Sequence, residues 1–161
     1  MDSVHYKLNV GCADCHMPIV EDKTGTRYRS HDSSKSVLNS KASMQYCLGC
    51  HTSDKVKTVK DMVAYVRNAQ KSVAEKDAAV AKKQDETFDL LKVAIEGKKL
   101  DEKAINEAKF KYAVAAYYKE FVYGNRGATP GEKVAHNPEK NRRYLEKALS
   151  VLDEAQTILK N

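Results

Sequence analysis

Cys12-Ala13-Asp14-Cys15-His16 and Cys47-Leu48-Gly49-Cys50-His51 are two copies of one pattern, C-x-x-C-H. That pattern is the attachment signal for c-type haem. Two thiols add across the porphyrin vinyl groups, and the adjacent imidazole is held under the iron. All four cysteines of the chain lie in these motifs. Cys12, Cys15, Cys47 and Cys50 are therefore read as the anchors of two covalently attached haem c groups, with His16 and His51 as proximal iron ligands. Two C-x-x-C pairs can also hold one structural zinc through four thiolates. Residues 16–46 separate the pairs, a wider gap than in a zinc ribbon, and a zinc ribbon has no use for a His after each second Cys. With 5 His in 161 residues, finding both by accident is about a one-in-a-thousand event. A redox-active disulfide is the other alternative, and one motif would suffice for it.

The composition agrees with a haem protein. Trp is absent and Phe appears three times, so a protein core alone would be modest, and two porphyrins would supply apolar surface. Charged residues make up 31% and Pro is scarce, which favours helix. The net charge of +6 is offset by haem propionates. The lysines are spread along helical segments without a base-stacking aromatic motif, so no nucleic-acid partner is expected. No run of 18 apolar residues exists, so no membrane span is expected. Met1-Asp2-Ser3-Val4 does not read as a secretory leader. Covalent haem attachment generally takes place outside the bacterial cytoplasm. The expected location is therefore periplasmic or extracytoplasmic, with a leader removed or the chain a piece of a longer protein.

Two segments are expected. Residues 1–53 form the di-haem binding segment, read as loops and short helices with a turn at Thr24-Gly25-Thr26 and a loop cluster at Asp32-Ser33-Ser34. Residues 54–161 form a long-helix region. Ser53 or Asp54 is a candidate cap. Apolar residues recur at Val56, Val59, Val63, Val66, Ala69, Val73, Val80, Phe88, Leu91 and Ile95, predicting a helix that ends at Gly97 with Lys98 and Lys99. Asp101 opens a second helix, to Tyr123. Ile105, Ala108, Tyr112, Ala115, Lys119 and Val122 form one stripe on it, and Phe110, Val114, Tyr117 and Phe121 another. Two stripes predict burial on two sides, the second against the haem segment or another subunit. A loop from Gly124 to Gly131 precedes a third helix, capped by Asn137 with Pro138 in its first turn. Tyr144, Leu145, Leu149, Leu152, Ala155 and Leu159 are its apolar stripe. The fold class is mainly α: an irregular multihaem c-type cytochrome segment followed by long antiparallel helices.

The remaining histidines, His5, His31 and His136, lie in loop contexts or beside a helix start and are candidate distal ligands. Iron closed by two imidazoles has no open position, which suits electron transfer. Two proximal and three further histidines could close both irons with one imidazole in excess.

Cys12-Ala13-Asp14-Cys15-His16-Met17-Pro18 resembles the C-x-x-C-H-M-P signature of the pentahaem, ammonia-forming cytochrome c nitrite reductases. The resemblance extends to a His seven residues before the first Cys (His5), a His between the two motifs (His31), long helices after the final C-x-x-C-H, and a His before a helix start (His136). It covers nearly the whole chain and corresponds to the C-terminal part of that enzyme. It implies that His16 and His136 close one haem, that His51 and His5 close the other, and that His31 serves a haem bound upstream. It also implies a homo-oligomer built through the long helices. The family's catalytic C-x-x-C-K motif has no counterpart here, nor do its substrate-handling residues, so no residue is assigned a catalytic role. The expected function is electron transfer between redox donor and acceptor proteins, as the electron-feeding half of a nitrite reductase. The chain would not be catalytic alone. The alternatives are a stand-alone exported di-haem carrier or filament subunit, and a zinc-bound helical scaffold.

Overall fold

The computed structural model describes residues 4–32, 37–98, 100–123 and 137–161 and is mainly helical, as expected. The elements are α1 (Val4–Lys7), α2 (Cys12–His16), β1 (Ile19–Glu21), β2 (Arg27–Arg29), a 3-10 turn (Val37–Asn39), α3 (Lys41–Leu48), α4 (Val59–Gly97), α5 (Glu102–Tyr123) and α6 (Pro138–Lys160). The chain divides into two compact units, Met1–Asn68 and Ala69–Asn161. Residues of α4 fall in both.

In the first unit, the turn at Thr24-Gly25-Thr26 joins an antiparallel hairpin. Ile19 pairs with Arg29, Val20 with Tyr28, and Glu21 with Arg27. The Asp22 carboxylate accepts from the Thr24 and Thr26 amides and the Thr24 hydroxyl, and Gly25 takes φ +84°, a conformation that suits glycine. Those hydrogen bonds hold the Asp22 carboxyl below its ordinary range, the Thr24 hydroxyl contributing most. Further on, α3 is capped by Ser40, whose side chain accepts from the Ser43 amide. Met44, Val56 and Met62 form the buried core here, joined by Val37, Leu38, Cys47, Leu48, Val59, Val63 and Val66.

The long helix starts later than Ser53 or Asp54. Those residues instead sit in a tight turn, with Val56 N–H donating to the Ser53 carbonyl at 3.1 Å. Thr58 and Asp61 make the cap. The Asp61 amide donates to Thr58 Oγ1, and the Asp61 carboxylate accepts from the Thr58 amide and hydroxyl. This reciprocal pair satisfies free donors at the helix start.

In the second unit, consecutive helices run antiparallel. Lys111 meets Glu154 at 2.7 Å, and Phe121 packs on Tyr144 with ring centroids 5.0 Å apart, so numbers rise along α5 as they fall along α6. The first and third helices therefore run the same way. Lys76 reaches Glu146 at 2.7 Å, Lys83 pairs with Asp153, and Gln156 Nε2 donates to Thr87 Oγ1 at 3.1 Å.

In this unit the buried positions of α4 are Val73, Asp77, Val80, Gln84, Thr87, Leu91 and Ala94. They alternate four and three residues apart, the seam of a coiled coil. Phe88 and Ile95, expected on the buried stripe, are each 47% exposed. Thr87 and Ala94 occupy the seam instead, because the 4–3 register continues from Val73 and Val80 regardless of polarity. On α5 the first expected stripe is the seam, with Ile105, Ala108, Ala115 and Val122 buried. Of the second, Phe110, Tyr117 and Phe121 face outward, 69%, 63% and 49% exposed, while Val114 packs against the core. On α6, Leu145, Ala148, Val151, Leu152, Ala155 and Gln156 are buried, and Asn137 Oδ1 caps the helix through the Lys140 amide at 3.0 Å. The expected Asp32-Ser33-Ser34 and Gly124–Gly131 loops lie partly or wholly outside the described residues.

Candidate haem centre

The first C-x-x-C-H motif is itself a helix, α2. The spacing places both thiols of Cys12 and Cys15 three residues apart, on neighbouring positions of one helical face. The motif's own Asp14 reaches back to the helix start, where its Oδ2 accepts the Gly11 amide at 2.9 Å. The second motif straddles the end of α3. Cys47 and Leu48 close the helix, and the Cys50 and His51 amides both donate to the Cys47 carbonyl, at 3.2 and 2.9 Å.

All four cysteines are free thiols, Cys12 and Cys50 exposed and Cys15 and Cys47 half-buried. The two motifs meet at Cys15 and Cys47, each of which shifts the other's thiol. Cys47 donates to the Cys15 sulfur, which lowers the Cys15 thiol to about 7 despite burial and the nearby Asp14 carboxylate. The same hydrogen bond, with burial and the Cys15 charge, pushes Cys47 upward. Beside them, the Tyr46 phenol is raised by desolvation and then by Asp14 and the neighbouring thiols. Among the described residues, no three or more His, Cys, Asp or Glu side chains converge as for a metal ion. The thiols are thus not arranged as the four-cysteine cluster of a zinc ribbon.

The structure brings His5 and His51 together from opposite ends of the first unit. Their Nε2 atoms face each other at 3.4 Å, with ring centroids 5.8 Å apart. The His5 carbonyl accepts from the Leu8 and Val10 amides, at 3.1 and 2.9 Å, and this wraps the chain back after the single turn of α1. Facing imidazoles and free thiols next to His51 are donor types that suit a covalently attached haem. Tyr65, on α4, lies on His51 with ring centroids 6.0 Å apart.

His16 is exposed at the end of α2. His31 is exposed beyond β2 and makes no hydrogen bond or ion pair among the described residues. His136 lies outside the described residues; the cap and helix that follow it are as expected. Tyr65 and Arg29 were not legible as members of the site. The turn signal at Thr24–Thr26 could have disclosed the hairpin that carries Arg29, whereas nothing local marks Tyr65.

No helix among the described residues is long and apolar enough to cross a membrane. A family model described as cytochrome c552 matches residues 1–161. That family is of nitrite reductase type, implies covalently bound haem c, and its members are typically periplasmic. With paired C-x-x-C-H motifs, free thiols and facing imidazoles in place, the chain belongs to the cytochrome c552 family, c-type haem cytochromes of electron transfer related to nitrite reductase.

Proposed function

We propose that this chain is a periplasmic two-haem electron-transfer module corresponding to the C-terminal, electron-feeding part of ammonia-forming nitrite reductase. The observation that carries the reading is the 3.4 Å approach of His5 Nε2 to His51 Nε2. Two residues 46 apart present ligating nitrogens to one place beside Cys47 and Cys50. When bound, haem would supply a one-electron iron couple, and two imidazoles on one iron would leave it no open position.

Cys12 and Cys15 anchor one group and Cys47 and Cys50 the other. His51 and His5 would hold the second. His16 and His136 are the pair of the first, and His31 serves a haem held by another segment. The packing of α2 on α3 supports a short route for an electron between the two attachment points. The residues of this chain close the irons rather than open them, so nitrite chemistry belongs to a segment carrying the C-x-x-C-K motif. Donor and acceptor proteins are the redox partners, and the outward face of α5 is the contact with a second copy.

The test uses the full chain matured with haem. Mass and the pyridine haemochrome spectrum should give two haems per chain, both low-spin. His5→Ala and His136→Ala should each convert one haem to a carbon monoxide-binding, high-spin form, while His31→Ala leaves both low-spin. A single haem, or a low-spin His5→Ala protein, would overturn the assignment.

A further inference from the structure

The two haem motifs are supported in different ways. The second sits on the end of α3, whose Met44 is buried with Val56 and Met62, and Cys47 packs against that cluster. The first is a five-residue helix with no buried residue. A helix this short has too few internal hydrogen bonds to hold its own shape in water. Something outside α2 must fix it.

Arg29 does so from β2. Its Nη1 donates to the carbonyls of Ala13 and Met17, at 3.3 and 3.2 Å, and its Nη2 donates to Asp14 Oδ1 at 3.3 Å. The other Asp14 oxygen is already committed to the Gly11 amide, so one carboxylate links the start of α2 to the guanidinium at its end. A cation at a helix C-terminus also matches the negative end of the helix dipole. The platform under Arg29 is firm. Ser30 N–H donates to the Pro18 carbonyl at 3.0 Å and closes the base of the hairpin, while the Asp22 carboxylate closes its tip.

We infer that Arg29 is the positioning residue of the first haem motif, clamping α2 so that Cys12, Cys15 and His16 are presented together. The inference rests on the reading of Cys12 and Cys15 as haem anchors. Arg29 is half-exposed, and an ion pair there adds little to overall stability. Its loss should therefore act locally. Lysine keeps the charge but lacks the planar fork that reaches three acceptors.

The experiment is haem mapping on the matured full chain. After peptic digestion, mass spectrometry gives the ratio of haem on the Cys12–Cys15 peptide to haem on the Cys47–Cys50 peptide. That ratio should be near one for the native protein. It should fall about threefold to tenfold in Arg29→Ala, as expected for losing a hydrogen bond at a solvent-exposed site, and recover in part in Arg29→Lys. The low-spin electron paramagnetic resonance signal of the remaining first haem should shift, while that of the second stays in place. An unchanged ratio and spectrum in Arg29→Ala would overturn the inference, and so would equal loss of haem from both peptides. A native protein with no haem on the Cys12–Cys15 peptide would overturn the haem assignment and this inference together.

Discussion

Lys98 ends α4 in a left-handed conformation, with φ +48°. Helices commonly stop this way, but the position favours glycine, which has no Cβ to crowd the following carbonyl. Here Gly97 comes one residue too early to relieve it. Lys98→Gly is expected to stabilise the protein by about 1 kcal/mol, read as a rise in thermal midpoint by calorimetry of the haem-loaded chain. At this same scale the two C-x-x-C-H motifs are legible directly, because their residues are contiguous. Arg29 and Tyr65 were not. Each reaches the motifs through chain reversal, Arg29 by the hairpin turn and Tyr65 by the turn of Ser53–Val56 before α4. Such approaches leave no mark in local spacing. His5 lay between: its neighbours do not show where it points, and only the resemblance paired it with His51.

Between elements, the polar seam governs the energetics. Thr87 Oγ1 donates to the Lys83 carbonyl at 2.7 Å and accepts from Gln156 Nε2 at 3.1 Å, both residues being buried. Thr87→Val strands the Gln156 amide and is expected to cost about 1–3 kcal/mol. Thr87→Val combined with Gln156→Leu removes both polar groups and should recover most of the loss. Denaturant midpoints of the three variants check this, and an additive double variant would refute it. The Lys111–Glu154 pair joins α5 to α6. Its hydrogen bond is the main cause that lowers the Glu154 carboxyl and raises the Lys111 ammonium. The carboxylate contribution is complete above the ordinary glutamate value and fades as pH falls through the lowered folded value. The ammonium contribution is complete below the ordinary lysine value and fades as pH rises through the raised one. Both groups meet solvent, so each effect is small. Lys111→Met should flatten the acid limb of a plot of thermal midpoint against pH. Helix existence was legible because apolar periodicity persists for many turns. The buried face of α4 was legible at Val73, Val80 and Leu91 but not at Asp77, Gln84, Thr87 and Ala94, since periodicity reading follows large apolar residues and the seam continues through polar ones.

For the molecule as a whole, the outward side chains of Phe110, Tyr117 and Phe121 set the proposed contact with a second copy. Phe110→Glu with Tyr117→Glu is expected to halve the sedimenting mass while both haems stay low-spin. An unchanged mass would move that contact elsewhere. The exposure of this stripe could not be read from the sequence, because apolar spacing alone does not distinguish a protomer core from a surface shared between copies. The buried Thr87–Gln156 bond has a consequence for assembly of the helical unit. If α6 slid by one heptad along α4, the apolar groups would still find apolar neighbours, but the Gln156 amide would lose its acceptor in a dry environment. Mispaired bundles are thus penalised while the aligned one is not, so this polar layer acts as an alignment pin that proofreads helix docking during folding.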